Sequence, residues 1–150
     1  MVAMASETSL VGTWKLLSRE DVTCDGQRRT DPILGTKPIA YLMYDAGGHF
    51  AVQFMRRDRG SAEAAAEQSR GGIANNSIAI NGYDAYFGRY TVGADGTVTQ
   101  ELVGALSPGD VGKVVTRRFR INGAELVIDL ETTASEGESV TRTLRWQRVA

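Results

Sequence analysis

Gly12-Thr13-Trp14 near the amino end and Arg145-Trp146-Gln147-Arg148 near the carboxyl end decide how this chain is read. A Gly-x-Trp entering the first strand, and an arginine close to the end of the last one, are how a closed up-and-down β-barrel joins its termini. The guanidinium is laid over the indole.

Outward from the first motif, Leu10, Gly12, Trp14 and Leu16 alternate with Val11, Thr13, Lys15, Leu17 and Arg19. That period of two predicts a strand over 10–20 with Trp14 facing inward. Asp21 to Pro38 carries Asp25-Gly26, Pro32, Gly35 and Pro38, punctuation that suits either a flap across a barrel mouth or a plain surface connection. Strands are expected over 39–44 and 49–56, joined by Asp45-Ala46-Gly47-Gly48. Pairing Tyr44 with His49 sets Met43 opposite Phe50 and Tyr41 opposite Val52, one wholly apolar face. The other face, with Leu42, Tyr44, Ala51, Gln53 and Met55, is not very polar either, and the pattern leaves open which of the two turns inward. A short helix capped by Ser61 and ended by Gly71-Gly72 is expected around 61–70.

Turn chemistry sets the register of the second half. Gly93-Ala94-Asp95-Gly96 suits a type I turn with a glycine bulge, pairing Val92 with Val98, Tyr90 with Gln100 and Arg89 with Glu101. Asn122-Gly123 is a two-residue hairpin signal, from which Arg120 is paired with Glu125, Phe119 with Leu126 and Arg117 with Ile128. A loop over 134–138 pairs Leu130 with Arg142, Ile128 with Leu144 and Leu126 with Trp146. The remaining strands are expected at 84–92, 97–106, 113–121, 125–133 and 139–149. The fold class is therefore all-β, an eight-stranded antiparallel up-and-down β-barrel with one short helical insertion. Eight strands leave room inside for side chains or one small ligand.

The chain has 150 residues, a formal net charge of −1 and a single cysteine. That fits one domain over 10–150, preceded by a flexible stretch at 1–9. Interspersed charges disfavour a nucleic-acid partner and an anionic membrane, and the apolar runs are far short of a membrane span. Met1 to Leu10 lacks the pattern of a signal peptide and Cys24 has no internal partner, so a cytoplasmic location is expected.

Leu10-Val11-Gly12-Thr13-Trp14-Lys15-Leu16, Tyr83-Asp84-Ala85-Tyr86-Phe87-Gly88-Arg89-Tyr90, Arg117-Arg118-Phe119 and Leu144-Arg145-Trp146-Gln147-Arg148-Val149 together resemble the bacterial and fungal lipocalin-like domain family over nearly the whole chain. The resemblance implies a small calycin-type barrel and carries over no catalytic residue. Members of that family often have histidine near the positions of Gln100 and Glu101. This chain has none there, so the resemblance supports no histidine chemistry on that strand.

The inward parity collects Tyr86, Tyr90, Gln100, Leu102, Arg117, Phe119, Arg142 and Trp146, with aliphatic residues between them. Arg117 and Arg142 each sit on an apolar stripe, and no carboxylate shares that face on the last three strands. A buried cation is costly unless paired. A ligand carboxylate, enolate or phosphate is one candidate partner, since guanidinium forks bind such groups. The alternative is that Arg142 reaches water at a barrel end and Arg117 is satisfied by tyrosines, carbonyls or an acid on another strand. The ligand-binding set expected is Arg117, Arg142, Tyr86, Tyr90, Gln100 and Phe119. The partner is a small hydrophobic ligand or substrate; no metal is expected, because His49 is the sole histidine and Cys24 the sole thiol, and no cofactor, because the sequence has no P-loop or dinucleotide fingerprint. A cofactor-independent isomerase, cyclase or hydratase using the same arginines, with Tyr86, Tyr90 or His49 moving a proton, is the alternative function. Apolar residues over 39–55 also hint at a homodimer.

Overall fold

The computed structural model describes residues 10–32, 34–35, 37–59, 82–134 and 137–150. The helix expected around 61–70 and the flexible lead expected at 1–9 lie outside the described residues.

Among the described residues nine strands run in chain order: β1 Gly12–Thr23, β2 Arg28–Arg29, β3 Ile39–Tyr44, β4 His49–Met55, β5 Tyr83–Val92, β6 Thr97–Ala105, β7 Val114–Asn122, β8 Glu125–Thr133 and β9 Ser139–Arg148. From β3 to β9 each pairs antiparallel with its sequence neighbour, and β1 pairs with both β3 and β9, so eight strands close a barrel. The two-residue β2 is appended to β1 through Asp21↔Arg29 and Val22↔Arg28. No described helix is long and apolar enough to cross a membrane.

The terminal motifs close the barrel as expected. Trp14 pairs with Arg148 across β1 and β9, and the Arg148 guanidinium lies 4.1 Å from the centre of the Trp14 ring. Arg148 Nη1 donates to the Val11 carbonyl at 2.7 Å, and Trp14 Nε1 donates to the Leu10 carbonyl at 2.9 Å. Gly12 adopts φ +141°, and a β-carbon there would stand 2.6 Å from both the Ala150 carbonyl oxygen and Arg148 Nη1. The glycine of Gly-x-Trp is thus what lets the two chain ends approach.

Two expected registers hold: Val92↔Val98 with Tyr90↔Gln100 and the exterior pair Arg89↔Glu101, and Leu130↔Arg142 with Leu126↔Trp146. Two are corrected. Tyr44 pairs with Phe50 rather than His49, Met43 with Ala51 and Tyr41 with Gln53. The cause is the turn: Asp45 Oδ1 accepts from the Gly47 and His49 N–H groups, Asp45 and His49 close the loop, and Gly48 sits at φ +87°. This is the same bulged turn that the sequence shows at Gly93–Gly96, and it moves the register by one residue. Ala40, Leu42, Tyr44, Phe50, Val52 and Phe54 therefore face inward, while Tyr41 and Met43 are exposed. In the β7–β8 hairpin Asn122 pairs with Glu125, Ile121 with Leu126 and Phe119 with Ile128, two residues tighter than expected. Ile121 packs against the core, which favours the tighter turn. A two-residue shift preserves facing, so the inward set survives; Arg120 meets Asp129 and Glu125 meets Arg145 instead.

A third departure is in β1. Leu16 pairs with Trp146 but Ser18 pairs with Arg145, a bulge that turns both Leu17 and Ser18 outward. Beyond it parity is reversed. Arg19, expected outside, and Asp21, expected in a loop, point into the barrel.

The tight turns, the start of β1 and the end of β9 gather at one end, where Leu10, Trp14, Tyr44, Tyr90, Val98 and Leu126 fill the interior. At the other end β1, β4, β6 and β8 finish. There Leu34, 1% exposed, lines the interior from the connection between β2 and β3, the part read as a flap. Arg29 ties this connection to the β8–β9 loop through Glu138 at 2.8 Å.

Candidate functional site

The filled end and the open end together leave a cavity of about 1240 Å³. Its apolar wall, among the described residues, comes from Leu42, Val52, Phe54, Leu102, Ile128, Leu130, Leu144 and Trp146. Its polar groups are Arg19, Asp84, Tyr86, Gln100, Arg117 and Arg142, and Ser107 to Asp110 with Glu131 to Ala134 border the mouth. The volume exceeds the roughly 300–1,000 Å³ that suits a drug-sized molecule.

Of the six expected ligand-binding residues, Arg117, Arg142, Tyr86 and Gln100 line this cavity. Tyr90 and Phe119 are buried in the filled core. The Tyr90 hydroxyl donates to the Asp45 carbonyl at 2.7 Å, and its ring meets Tyr44 edge-on with centroids 4.7 Å apart. Gln100 Nε2 donates to the Tyr44 hydroxyl at 2.8 Å, which anchors the cavity floor. Burial pushes the Tyr44 hydroxyl well above the usual phenol range, so it stays neutral. His49 is exposed, beside Asp45 at the opposite end from the mouth, and takes no part in the cavity.

The two arginines part company. Arg142 is 5% exposed, and its Nε and Nη2 donate to the carboxylate of Asp21 at 2.7 and 2.9 Å. Its partner is thus an acid from another strand, brought inside by the β1 bulge. Arg19 Nη1 meets Asp31 at 3.3 Å, with its guanidinium 5.7 Å from the centre of the Phe54 ring. Burial, then the neighbouring Arg142, lowers the Arg19 pKa from its ordinary value, while Asp31 and Asp21 oppose the shift. Arg117 is half-buried, lines the cavity and makes no ion pair among the described residues. It lies alongside the Tyr86 hydroxyl. Burial raises the Tyr86 pKa, Asp84 adds to the rise, and Arg117 and Arg19 work against it.

Two further features were not anticipated. Asp84 is 2% exposed, and burial raises its carboxyl to about 7; the Ala85 N–H, Arg19 and Arg142 oppose that rise and Asp110 adds to it. It stands two residues before Tyr86 on the same strand, so the parity that placed Tyr86 inward also marks Asp84. Trp146 lines the cavity at 1% exposure, and its Nε1–H has no acceptor among the described residues. Parity had placed this indole inward, but its unmet donor is visible only in three dimensions. Nothing in the sequence marks the Leu17-Ser18 bulge that brings Arg19 and Asp21 inside.

A closed antiparallel barrel, packed at one end and hollow toward the other, is a fold compatible with holding a small hydrophobic molecule. The chain belongs to the lipocalin-like domain family, whose model matches residues 11–149. No protein of curated function matches it.

Proposed function

We propose that this protein binds one small, mostly apolar molecule inside the barrel and holds an anionic or carbonyl oxygen of that molecule at Arg117, beside Tyr86. The observation that carries this reading is the difference between the cavity's cations: Arg19 has Asp31, Arg142 has Asp21, Lys113 has Asp110, and Arg117 has no carboxylate among the described residues. A guanidinium facing an apolar space gains most from an anionic or strongly accepting ligand atom. The unmet indole N–H of Trp146 offers a second donor to the same molecule.

Denaturing the purified protein and identifying released small molecules by mass spectrometry tests occupancy directly. Affinity for an anionic apolar probe, 8-anilinonaphthalene-1-sulfonate, tests the site. Arg117→Leu is expected to weaken the probe's binding about tenfold or more, the scale of a lost charged hydrogen bond. Unchanged affinity in that variant, folded as judged by circular dichroism, sinks the assignment of Arg117.

A further inference from the structure

Asp84 has no task in ligand retention, and its position is costly. Of the two buried carboxylates, Asp21 is neutralised by Arg142, whereas Asp84 lines the cavity and makes no ion pair among the described residues. A carboxyl kept out of water without a cation destabilises the fold when ionised. Its surroundings maintain that state: Phe54 is its cross-strand partner on β4, and the Phe54 ring stands 5.9 Å from that of Trp146. Along β5, Asp84 and Tyr86 share the inward face, with roughly 6–7 Å between successive positions on that face. Both side chains line the same cavity, as does Arg117.

We propose that the cavity is a proton-transfer site, in which Asp84 is the catalytic base toward an apolar carbonyl compound whose oxygen is held by Arg117 and Tyr86. This rests on the reading of Arg117 given above. The Asp84 carboxylate takes a proton from a carbon next to the carbonyl. The C–H electron pair becomes the new C=C bond while the carbonyl π pair moves onto oxygen, giving an enolate that Arg117 and the Tyr86 hydroxyl stabilise. Return of a proton from Asp84 to the same carbon restores the substrate, and in deuterium oxide the carboxyl proton is first replaced by a deuteron from solvent at the cavity mouth, so that the return labels that carbon. Return to a conjugated carbon further along isomerises it, and no oxidant, reductant or cofactor is consumed. A carboxyl raised to about 7 is suited to both halves of that exchange near neutral pH. The charged and titratable groups around it are Arg19 from β1, Arg142 from β9, Asp110 from the connection after β6 and Tyr86 on its own strand. β4 presents only the uncharged Phe54.

The test is hydrogen–deuterium exchange of 2-tetralone in deuterium oxide, followed by proton nuclear magnetic resonance, with binding measured separately by equilibrium dialysis. The wild-type protein is expected to accelerate exchange saturably, with a rate that rises with pH through about 7 as Asp84 ionises. Asp84→Asn should lower the protein-dependent rate about 10²-fold or more while leaving tetralone binding within a few-fold, and Asp84→Glu should recover part of the rate. Arg117→Leu should lose binding and exchange together. Undiminished exchange in Asp84→Asn overturns the proposal. So does wild-type protein that retains tetralone without exchanging it faster than buffer, a result that leaves the binding reading standing. Failure of the wild-type protein to retain tetralone at all overturns both.

Discussion

Arg142 on β9 and Asp21 on β1 form a bidentate pair inside the barrel, with Nε and Nη2 of the guanidinium 2.7 and 2.9 Å from the two carboxylate oxygens. They are register partners across the seam that closes the sheet, and both side chains are nearly inaccessible to water. A pair of this kind is worth little against apolar replacements but costs dearly when half of it is removed. Asp21→Asn should therefore destabilise the protein by about 3–5 kcal/mol in urea unfolding, and Asp21→Leu combined with Arg142→Leu should recover most of that loss. A double variant as unstable as the single one would contradict a self-contained pair.

Arg148 joins the same two strands at the packed end. Its stacking on Trp14 and its hydrogen bond to the Val11 carbonyl are both lost in Arg148→Ala, with an expected cost of about 1–3 kcal/mol. Arg148→Lys keeps the charge but not the flat guanidinium, and should fall between the two. Thermal unfolding of the three proteins checks the order; a lysine variant equal to wild type would mean that charge alone suffices.

Asp84 makes stability depend on pH in a direction opposite to the usual carboxylate. Its folded-state pKa, about 7, lies above the unfolded value near 3.8. Between those values the folded protein holds a proton that the unfolded chain has released, so stability falls as pH rises through this window and levels off above it. Asp84→Asn removes the penalty. Its stabilising effect should be larger at pH 8 than at pH 5 by on the order of 2–3 kcal/mol. Equal effects at the two pH values would show that the carboxyl titrates normally.

Gly88, paired with Leu102, and Gly104, paired with Phe87, flank the bulge between β5 and β6 and should respond differently to alanine. A β-carbon on Gly88 would lie 1.8 Å from the Glu101 carbonyl oxygen and 2.8 Å from the Val103 nitrogen, both backbone atoms. On Gly104 it would meet only the ring of Phe87, at 2.4 Å, and that side chain is 54% exposed and free to swing away. Gly88→Ala should cost about 3 kcal/mol or more and Gly104→Ala less than about 1 kcal/mol. Comparable denaturation midpoints for the two variants would argue against the close backbone approach.

The sequence by itself determined the barrel. Its strands alternate apolar and polar residues, its hairpin turns carry their own chemistry, and Gly12, Trp14 and Arg148 announce the closure. These signals are local or lie at the chain ends, so no knowledge of the packed interior is needed to see them. The same parity placed Tyr86, Gln100, Arg117 and Arg142 inside, and it would have placed Asp84 there too, two residues before Tyr86. The register around Asp45–Gly48 was also legible, since the turn repeats the chemistry of Gly93–Gly96.

Only the tertiary structure decided which cavity charges are already matched. A single extra residue at Leu17-Ser18 reverses the facing of the rest of β1, carrying Arg19 from the expected outside, and Asp21 from the expected loop, to the inside. Alternation along one strand has no memory of such an insertion, because the bulge is stabilised by its fit against β9 and not by residues that signal a turn. Once Asp21 reaches Arg142 and Asp31 reaches Arg19, the arginine that faces the cavity without a carboxylate among the described residues is Arg117. Pairing is a property of distances across the barrel, and those exist only when the sheet has closed.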